Sequence, residues 1–541
     1  MESSTLVAEL KSENAAVRAE NSELKSENSA LRSEMAEMSA KLNWLVEQLS
    51  SNHRKMFGSS SEKSAYAFSG DQFGLFEAQP LNLPHIIDTG ETEVDEVPRQ
   101  RPKKKSEMGS KLPANIPIEI VECKLPEDER DCPKGHGPLS VIGKELVRRE
   151  VDIIPAKVVL KEFWRFSYQC KICEETSVDN ANIIKAPMPP QVIKGSMCTP
   201  DTLAHIITQK CVMGAPIHRQ AKEWERTGIP LNRQTMTNWV IKGSEDYLEP
   251  IYDRLHRELC SQKVLHSDST TFQVLREPGK PPQSESQIWL YRTSGDAENP
   301  IVLFEYQPDK TQERPKDFLQ GFSGYLVTDG FQSYHCLPDN IIVVGCFYHV
   351  RSKFFDALKV LKTDDERKGS LALIGKQYCD KIFEIERNSA DKTFEEKFTI
   401  RNKKAKPVIE EFHSWLMSIE GKVANKSKIG VAINYAINQW QYLERYLLDG
   451  RIECSNNRAE RTIKALVINR KNFLFATSVA GAKATAICHS LTETAKESGL
   501  IPHEYLAHIF RTAAGLDLRN DNDLLMSLLP KNAPESCRVL S

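Results

Sequence analysis

The sequence predicts a multidomain α+β protein, and three observations predict it. Six heptads of apolar residues open the chain. Two close pairs of metal-ligand residues then flank a β-like stretch. From about residue 262, β-branched apolar runs first follow one another and then alternate with helical patterns. At 541 residues the chain exceeds a single typical domain, so three or more units are expected.

Composition bounds the function classes. Hydrophobic content of 40% and charged content of 27% are ordinary for a globular protein. No stretch approaches the roughly 18 uncharged apolar residues of a membrane span. The N-terminus is polar and acidic, without a signal-peptide core, so the expected location is cytoplasmic. A net charge of −2 does not advertise nucleic acid, so any charge that binds it must be local. The thirteen cysteines are scattered and read as reduced thiols.

Residues 1–50 are expected to form a coiled coil. Leu10, Val17, Leu24, Leu31, Met38 and Leu45 recur every seven residues. The companion seam is Val7, Asn14, Asn21, Asn28, Met35, Leu42 and Leu49. Repeated Asn on one seam trades stability for register and favours a two-stranded parallel coil. A homodimer or higher oligomer through this coil follows. Residues 51–115 have mixed polarity without sustained periodicity and read as a flexible linker. The cluster Arg99, Arg101, Lys103, Lys104 and Lys105 within it suits a phosphate backbone, or is simply solvated.

Residues 116–190 hold Cys132-x₃-His136 and Cys170-x₂-Cys173 on either side of Val158 to Tyr168. Two such pairs can supply the four ligands of tetrahedral Zn²⁺, so a structural zinc-ribbon-like domain is expected. The alternative is a degenerate knuckle kept as a hairpin core. Residues 191–250 read as three helices. Thr199-Pro200-Asp201 starts the first, and Gly228-Ile229-Pro230 ends the second. Asn232 starts RQTMTNWVIKG, where Met236, Trp239 and Val240 share one face. Arg233, Gln234 and Asn238 project elsewhere. That is helix-turn-helix logic, with a short last helix offering Arg, Gln and Asn to base edges.

Residues 251–480 read as an α/β catalytic domain. Val264-Leu265, Phe272 to Leu275, Ile288 to Tyr291 and Ile301 to Tyr306 are expected strands. A helical patch follows around Phe318, then strands at Tyr325 to Thr328 and Ile341 to Val344. Antiparallel strands followed by helix–strand alternation describe a ribonuclease-H-like core. Residues about 350–445 are charged and helical, with Trp415, Trp440 and Tyr442 as apolar anchors, and read as a helical insertion. Residues 481–541 are expected to be a C-terminal helical tail.

Three acids within this domain carry the chemistry. Asp268 lies in KVLHSDSTTFQVL, Asp329 in SGYLVTDGFQSYH, and Glu460 in RIECSNNRAERTIKALVINRKNFLFA. Two strands and a helix converging three carboxylates would form an oxygen cage for Mg²⁺ or Mn²⁺. Two such ions can clamp the attacking and leaving oxygens of a phosphodiester. The contexts alone leave open three unrelated surface acids. Asn456 and Asn457 stand ready to cap the Glu460 helix. Arg461 and Lys464 lie beside Glu460, Lys464 on its face, where it suits a DNA phosphate or an i,i+4 ion pair. Arg470 and Lys471, with Asn472 and Phe473, form a basic-aromatic patch suited to a DNA end; a capped helix end is the alternative. Cys346-x₂-His349 has no second ligand pair nearby in sequence and reads as a buried Cys with a hydrogen-bonded His.

From about residue 110 to about 510 the chain resembles the insertion sequence 66 family of transposases, bacterial DDE enzymes. The stretches that carry the resemblance are LVTDGFQSYH, GCFYHVRSKF, NNRAERTIKALVINRKNFLF and TETAKESGLIPHEYL, with KGSMCTPDTLAHIITQKCVMGAPIHRQAKEWERTGIPLNRQTMTNWV upstream. The resemblance implies that Asp268, Asp329 and Glu460 are the catalytic triad. It implies divalent-metal-dependent cleavage at insertion-sequence ends, followed by attack of the freed 3′-hydroxyl on target DNA. The implied partners are DNA, as transposon ends and target, and accessory proteins of the same element. The implied setting is the bacterial cytoplasm, at the nucleoid. The chain departs from the family pattern in three places. Asp268-Ser269-Thr270 replaces Asp-Glu-Thr, Arg351-Ser352 replaces paired Arg, and Cys132-Pro133-Lys134-Gly135-His136-Gly137 replaces the first zinc knuckle. His136 would stand in for the missing thiol, or the site would borrow Cys123. The same anatomy with a silent site would be a domesticated DNA-binding regulator. A metal-dependent nuclease would share the core.

Overall fold

The computed structural model describes residues 159–168, 184–229 and 231–539. All lie in the second of the two units into which the chain divides, Lys104–Ser541. The expected coiled coil, the linker with its basic cluster, and the proposed zinc ligands Cys132, His136, Cys170 and Cys173 lie outside the described residues. Two short strands, β1 (Ser167–Tyr168) and β2 (Ile184–Lys185), pair antiparallel, Ser167 opposite Lys185. The Cys170-x₂-Cys173 pair belongs to the segment that connects them.

Three helices follow, as the sequence signals. Helix α1 (Pro200–Cys211) begins where Thr199 Oγ1 accepts the Thr202 N–H, with proline in the first turn. Helix α2 (Ile217–Arg226) is followed by Gly228 at φ +85°, a left-handed turn that glycine adopts without strain. Helix α3 (Arg233–Gly243) is capped by Asn232, whose Oδ1 accepts the Thr235 N–H at 2.8 Å. Met236, Trp239 and Val240 are buried, whereas Arg233, Gln234 and Asn238 are exposed. Helix α4 (Glu249–Cys260) leads into the sheet.

The sheet strands are β3 (Val264–Arg276), β4 (Glu285–Thr293), β5 (Val302–Gln307), β6 (Gly324–Val327), β7 (Ile341–Val344) and β8 (Ala476–Ser478). Their order is β5-β4-β3-β6-β7, with β8 beside β3. The β3-β4-β5 half is antiparallel, and β3-β6-β7 run parallel. The two runs expected at Val264-Leu265 and Phe272 to Leu275 are one 13-residue strand. The polar segment between them looks like an interruption in sequence. It is held extended because β4 pairs with it from Leu265↔Thr293 through Gln273↔Glu285.

Between β5 and β6 lies α5 (Glu313–Phe318). After β7 comes the helical insertion: α6 (Phe347–Leu358), α7 (Asp364–Arg367), α8 (Leu371–Arg387), α9 (Phe394–Ile400), α10 (Lys406–Ile419) and α11 (Lys428–Leu443). Phe354, Phe412, Leu416 and Trp440 form its core, which reaches Val327 and Val344 at the ends of β6 and β7. The insertion is therefore packed against the parallel half of the sheet. Helix α12 (Asn457–Phe473) then returns to the sheet, followed by α13 (Val479–Glu497), α14 (Pro502–Ala513) and α15 (Asn522–Ser527).

The expected boundaries near 250 and 480 fall inside one continuous core. It joins Leu203 and Trp239 to Trp289 and Tyr291 of the sheet and to Leu491 and Phe510 of the last helices. Helix α13 also closes the β5 edge. Ser490 Oγ accepts the Phe304 N–H at 2.7 Å, and Thr494 Oγ1 accepts the Val302 N–H at 3.0 Å. Covering an edge in this way removes a template for unwanted strand pairing. Buried Arg292 on β4 pairs with Glu497 on α13 at 3.0 Å.

Candidate active site

Strand pairing aligns the first two acids. The β3–β6 ladder ends at the pair His266↔Val327. Asp268 stands two residues beyond it on β3, and Asp329 two residues beyond it after β6. The turn at Asp329 is fixed from several sides. Its Oδ1 accepts the Phe331 N–H at 3.0 Å. Gly330 has φ +85°, and a Cβ there would come within 2.6 Å of Gln439 Oε1, so only glycine fits without displacement. From α11, the Tyr435 hydroxyl donates to the Asp329 carbonyl at 2.9 Å. The insertion thus buttresses the second acid.

Asn456 brings in the third. Its side chain does not cap α12, contrary to the expectation from sequence. It is fully buried and bridges to β3 instead. Its Nδ2 donates to the Ser267 carbonyl at 2.8 Å, its Oδ1 lies 3.1 Å from His266 Nδ1, and its backbone N–H donates to Cys346 Sγ at 3.1 Å. A cap would have satisfied only its own helix. This latch holds the first turn of α12, and Glu460 with it, beside Asp268.

Burial, reinforced by the charge of Asp329, pushes the Asp268 carboxyl up to about 7. Glu460 adds to the rise. The Ser269 N–H, 2.7 Å away, and Lys310 oppose it. The phenols of Tyr334 and Tyr435 are raised too, by burial first and by these same acids. Three carboxylates therefore share one field with little positive charge to offset it. Among the described residues, the group whose ligand atoms all lie within 4.8 Å of one another is Cys346, His349 and Glu460; the three carboxylates do not form such a group, and their nearness shows in the shift at Asp268.

The rival third acids are otherwise engaged. Glu453 accepts from Arg458 Nε at 2.7 Å and from the Gly295 N–H at 3.1 Å. Glu493 is buried and pairs with Lys496 at 2.7 Å.

Two neighbours of the acids escape a reading in sequence order. Cys346 is buried, as expected; His349 is expected to be hydrogen-bonded, and its Nδ1 is buried without a hydrogen-bond partner. That atom faces Glu460 Oε1 at 3.6 Å, and Cys346, His349 and Glu460 bring ligand atoms within 4.8 Å of one another. The Cys-x₂-His spacing was the signal. Its partner comes from a distant helix, which spacing cannot reveal. Lys310 is the other, an exposed cation lying over the Phe331 ring at 3.9 Å.

The expected DNA-binding residues divide. Arg461, Lys464 and Lys471 are exposed on α12. Among the described residues no ion pair joins Lys464 to Glu460. Arg470 is turned inward and donates to Thr270 and Thr271 Oγ1 at 3.3 and 3.0 Å, tying α12 to β3. Arg233, Gln234 and Asn238 remain on α3 and are not joined to the acids. Gln234 Nε2 donates to Asn238 Oδ1 at 2.9 Å.

Residues 195–484, more than half of the chain, match the family model described as Transposase IS66 family. The chain belongs to the IS66 transposase family. Residues 129–174 match the zinc-finger binding domain of transposase IS66, a span that includes Cys132, His136, Cys170 and Cys173. Residues 44–121 match a model described as Transposase C of IS166 homeodomain. The chain is 29% identical over 436 residues to the uncharacterized protein y4jD of Sinorhizobium fredii, covering 78% of this chain and 81% of that protein. It is 27% identical over 432 residues to y4hP of the same organism, covering 77% and 75%. A solved structure, the Drosophila P element transposase strand transfer complex, is similar at a TM-score of 0.20 and 15% identity, over 62% of this chain and 86% of that one. Likeness at that level carries no structural argument. Among the described residues of this IS66-family chain, no helix is long and apolar enough to cross a membrane.

Proposed function

We propose that this transposase cleaves DNA at insertion-sequence ends and joins them to target DNA at a DDE site formed by Asp268, Asp329 and Glu460. One observation carries the reading. The end of the β3–β6 ladder, the Asn456 latch and the rise that Asp329 and Glu460 cause at Asp268 support one neighbourhood for three acids that come from far apart in the chain. A central strand with antiparallel neighbours on one side and parallel neighbours on the other supports a ribonuclease-H-like core. Bound Mg²⁺ or Mn²⁺ would neutralise charge developing on the phosphate and activate the attacking oxygen. The chain's own part is to hold and orient. Asp268, Asp329 and Glu460 would be the residues that hold the ion, each presented by a separate element. The insertion, through Tyr435 and Gln439, keeps the Asp329 turn from relaxing. Positioning and charge compensation dominate phosphoryl transfer, so rigid supports of this kind are what the reaction requires.

In this reading Arg233, Gln234 and Asn238 read base edges in the terminal repeats, while Arg461, Lys464 and Lys471 neutralise phosphates. The zinc-finger domain uses Cys132, His136, Cys170 and Cys173 on structural Zn²⁺. The N-terminal heptads pair two or more chains, and the protein works in the bacterial cytoplasm at the nucleoid. The test is direct. Purified protein, Mg²⁺ and the element's own ends should give strand-specific nicks and joined products. Glu460→Gln should bind ends and produce neither. Near-normal cleavage by that variant would overturn the assignment.

A further inference from the structure

Cys346 and His349 stand at the start of α6, Cys346 at its N-cap position. His349 Nδ1 and Glu460 Oε1 face each other at 3.6 Å. Both atoms are buried and neither has a hydrogen-bond partner. Leaving such groups unsatisfied costs about 1–3 kcal/mol each, so an opposed pair calls for an occupant. The separation is too long for a direct hydrogen bond, which needs about 2.7–3.2 Å. It suits a shared ion, because metal bonds of about 2.0–2.2 Å to nitrogen and oxygen span it at an open angle. Cys346 Sγ completes a cluster within 4.8 Å. The Asn456 N–H, donating to it at 3.1 Å, holds it in place. An all-carboxylate DDE site makes no use of either His349 or Cys346.

We propose that His349, Glu460 and Cys346 form a binding site for a divalent transition-metal ion, with the imidazole nitrogen as its distinguishing ligand. The mixed nitrogen, oxygen and sulfur set suits Zn²⁺ best, admits Mn²⁺ through its imidazole and carboxylate, and disfavours Mg²⁺, which takes oxygen ligands in near-ideal octahedra. The inference rests on the DDE reading only in sharing Glu460. If the reaction centre lies there, one side of it prefers Mn²⁺ to Mg²⁺.

The probe is Mn²⁺, added to the full-length protein after its zinc content has been measured. Pulsed electron paramagnetic resonance then reports whether a nitrogen is bound directly to the manganese. The wild type should show one such nitrogen. His349→Ala should lose it and bind that ion at least about tenfold more weakly. Cys346→Ser should keep the nitrogen signal, and an unchanged metal-free melting temperature of His349→Ala guards against a folding defect in that variant. If the site arrives already filled, metal analysis should find one more zinc per wild-type chain than per His349→Ala chain. Manganese bound through oxygen alone, or nitrogen coupling unchanged in His349→Ala, would overturn the proposal. The double variant Asp268→Asn, Asp329→Asn separates the two readings. If it keeps the nitrogen-coupled ion yet cleaves DNA normally, the DDE assignment falls and this site stands. If the wild type shows oxygen-bound manganese alone, and the double variant loses both that ion and cleavage, the DDE assignment stands and this site falls.

Discussion

Asp268 shows how the role proposed for it appears as a stability cost. Burial and the neighbouring acids raise its carboxyl from the ordinary 3.8 to about 7. Between about pH 4 and 7 the folded chain therefore holds a proton that the unfolded chain has lost. Without metal, the contribution of this group falls as pH rises through that window, and the full cost is present above about pH 7. At about 1.4 kcal/mol per unit, the ceiling is about 4 kcal/mol. Asp268→Asn should then raise the melting temperature of the metal-free protein above about pH 7, flatten that part of the pH profile, and abolish cleavage. Melting curves across pH without divalent metal check it; an Asn variant no more stable than wild type would sink the argument. Asn456 works in the opposite direction. Asn456→Ala leaves the Ser267 carbonyl and His266 Nδ1 without their buried partner, at a cost of about 2–4 kcal/mol. It should also slow cleavage more than it weakens end binding, because Glu460 loses its tether. Unfolding midpoints alongside single-turnover cleavage separate the two effects.

Among the elements, α3 and α12 divide the contacts expected with DNA. The apolar face of α3 is spent on the core, which leaves Arg233, Gln234 and Asn238 outward. Arg233→Ala or Asn238→Ala should cost about 1–3 kcal/mol of discrimination between terminal and random sequence. Lys464→Ala should weaken both alike and reduce the salt dependence of binding. Competition binding at two salt concentrations distinguishes these outcomes, and equal losses on both DNAs for the α3 variants would remove base reading from that helix. Arg470 belongs to neither set. Its bonds to Thr270 and Thr271 make it a brace between α12 and β3. The sequence could not tell brace from clamp, because both want a cation at a helix end and only the position of β3 decides.

For the whole molecule, concerted joining requires two DNA ends held at once, and the heptads at 7–49 are the clearest pairing element in the sequence. Deleting residues 1–50 should reduce self-association and weaken paired-end assembly more than single-end binding. Sedimentation showing an unchanged oligomer would move the interface into the body of the protein. What the sequence determined by itself follows from local rules. The caps at Thr199 and Asn232, the buried face Met236-Trp239-Val240, most strands of the sheet and the helical nature of the insertion are all written in spacing and periodicity, since each depends on neighbours within a turn or a strand. The acids Asp268, Asp329 and Glu460 could be named because their contexts and the family resemblance are also local. The tertiary structure decided what depends on distant partners. It extended β3 through its polar middle by pairing it with β4. It turned Asn456 from a cap into a latch, joined α1–α4 and α13–α15 in one core with the sheet, and set His349 against Glu460. Pairing, burial and the field among carboxylates act between residues that are remote in the chain, so no pattern along the chain contains them.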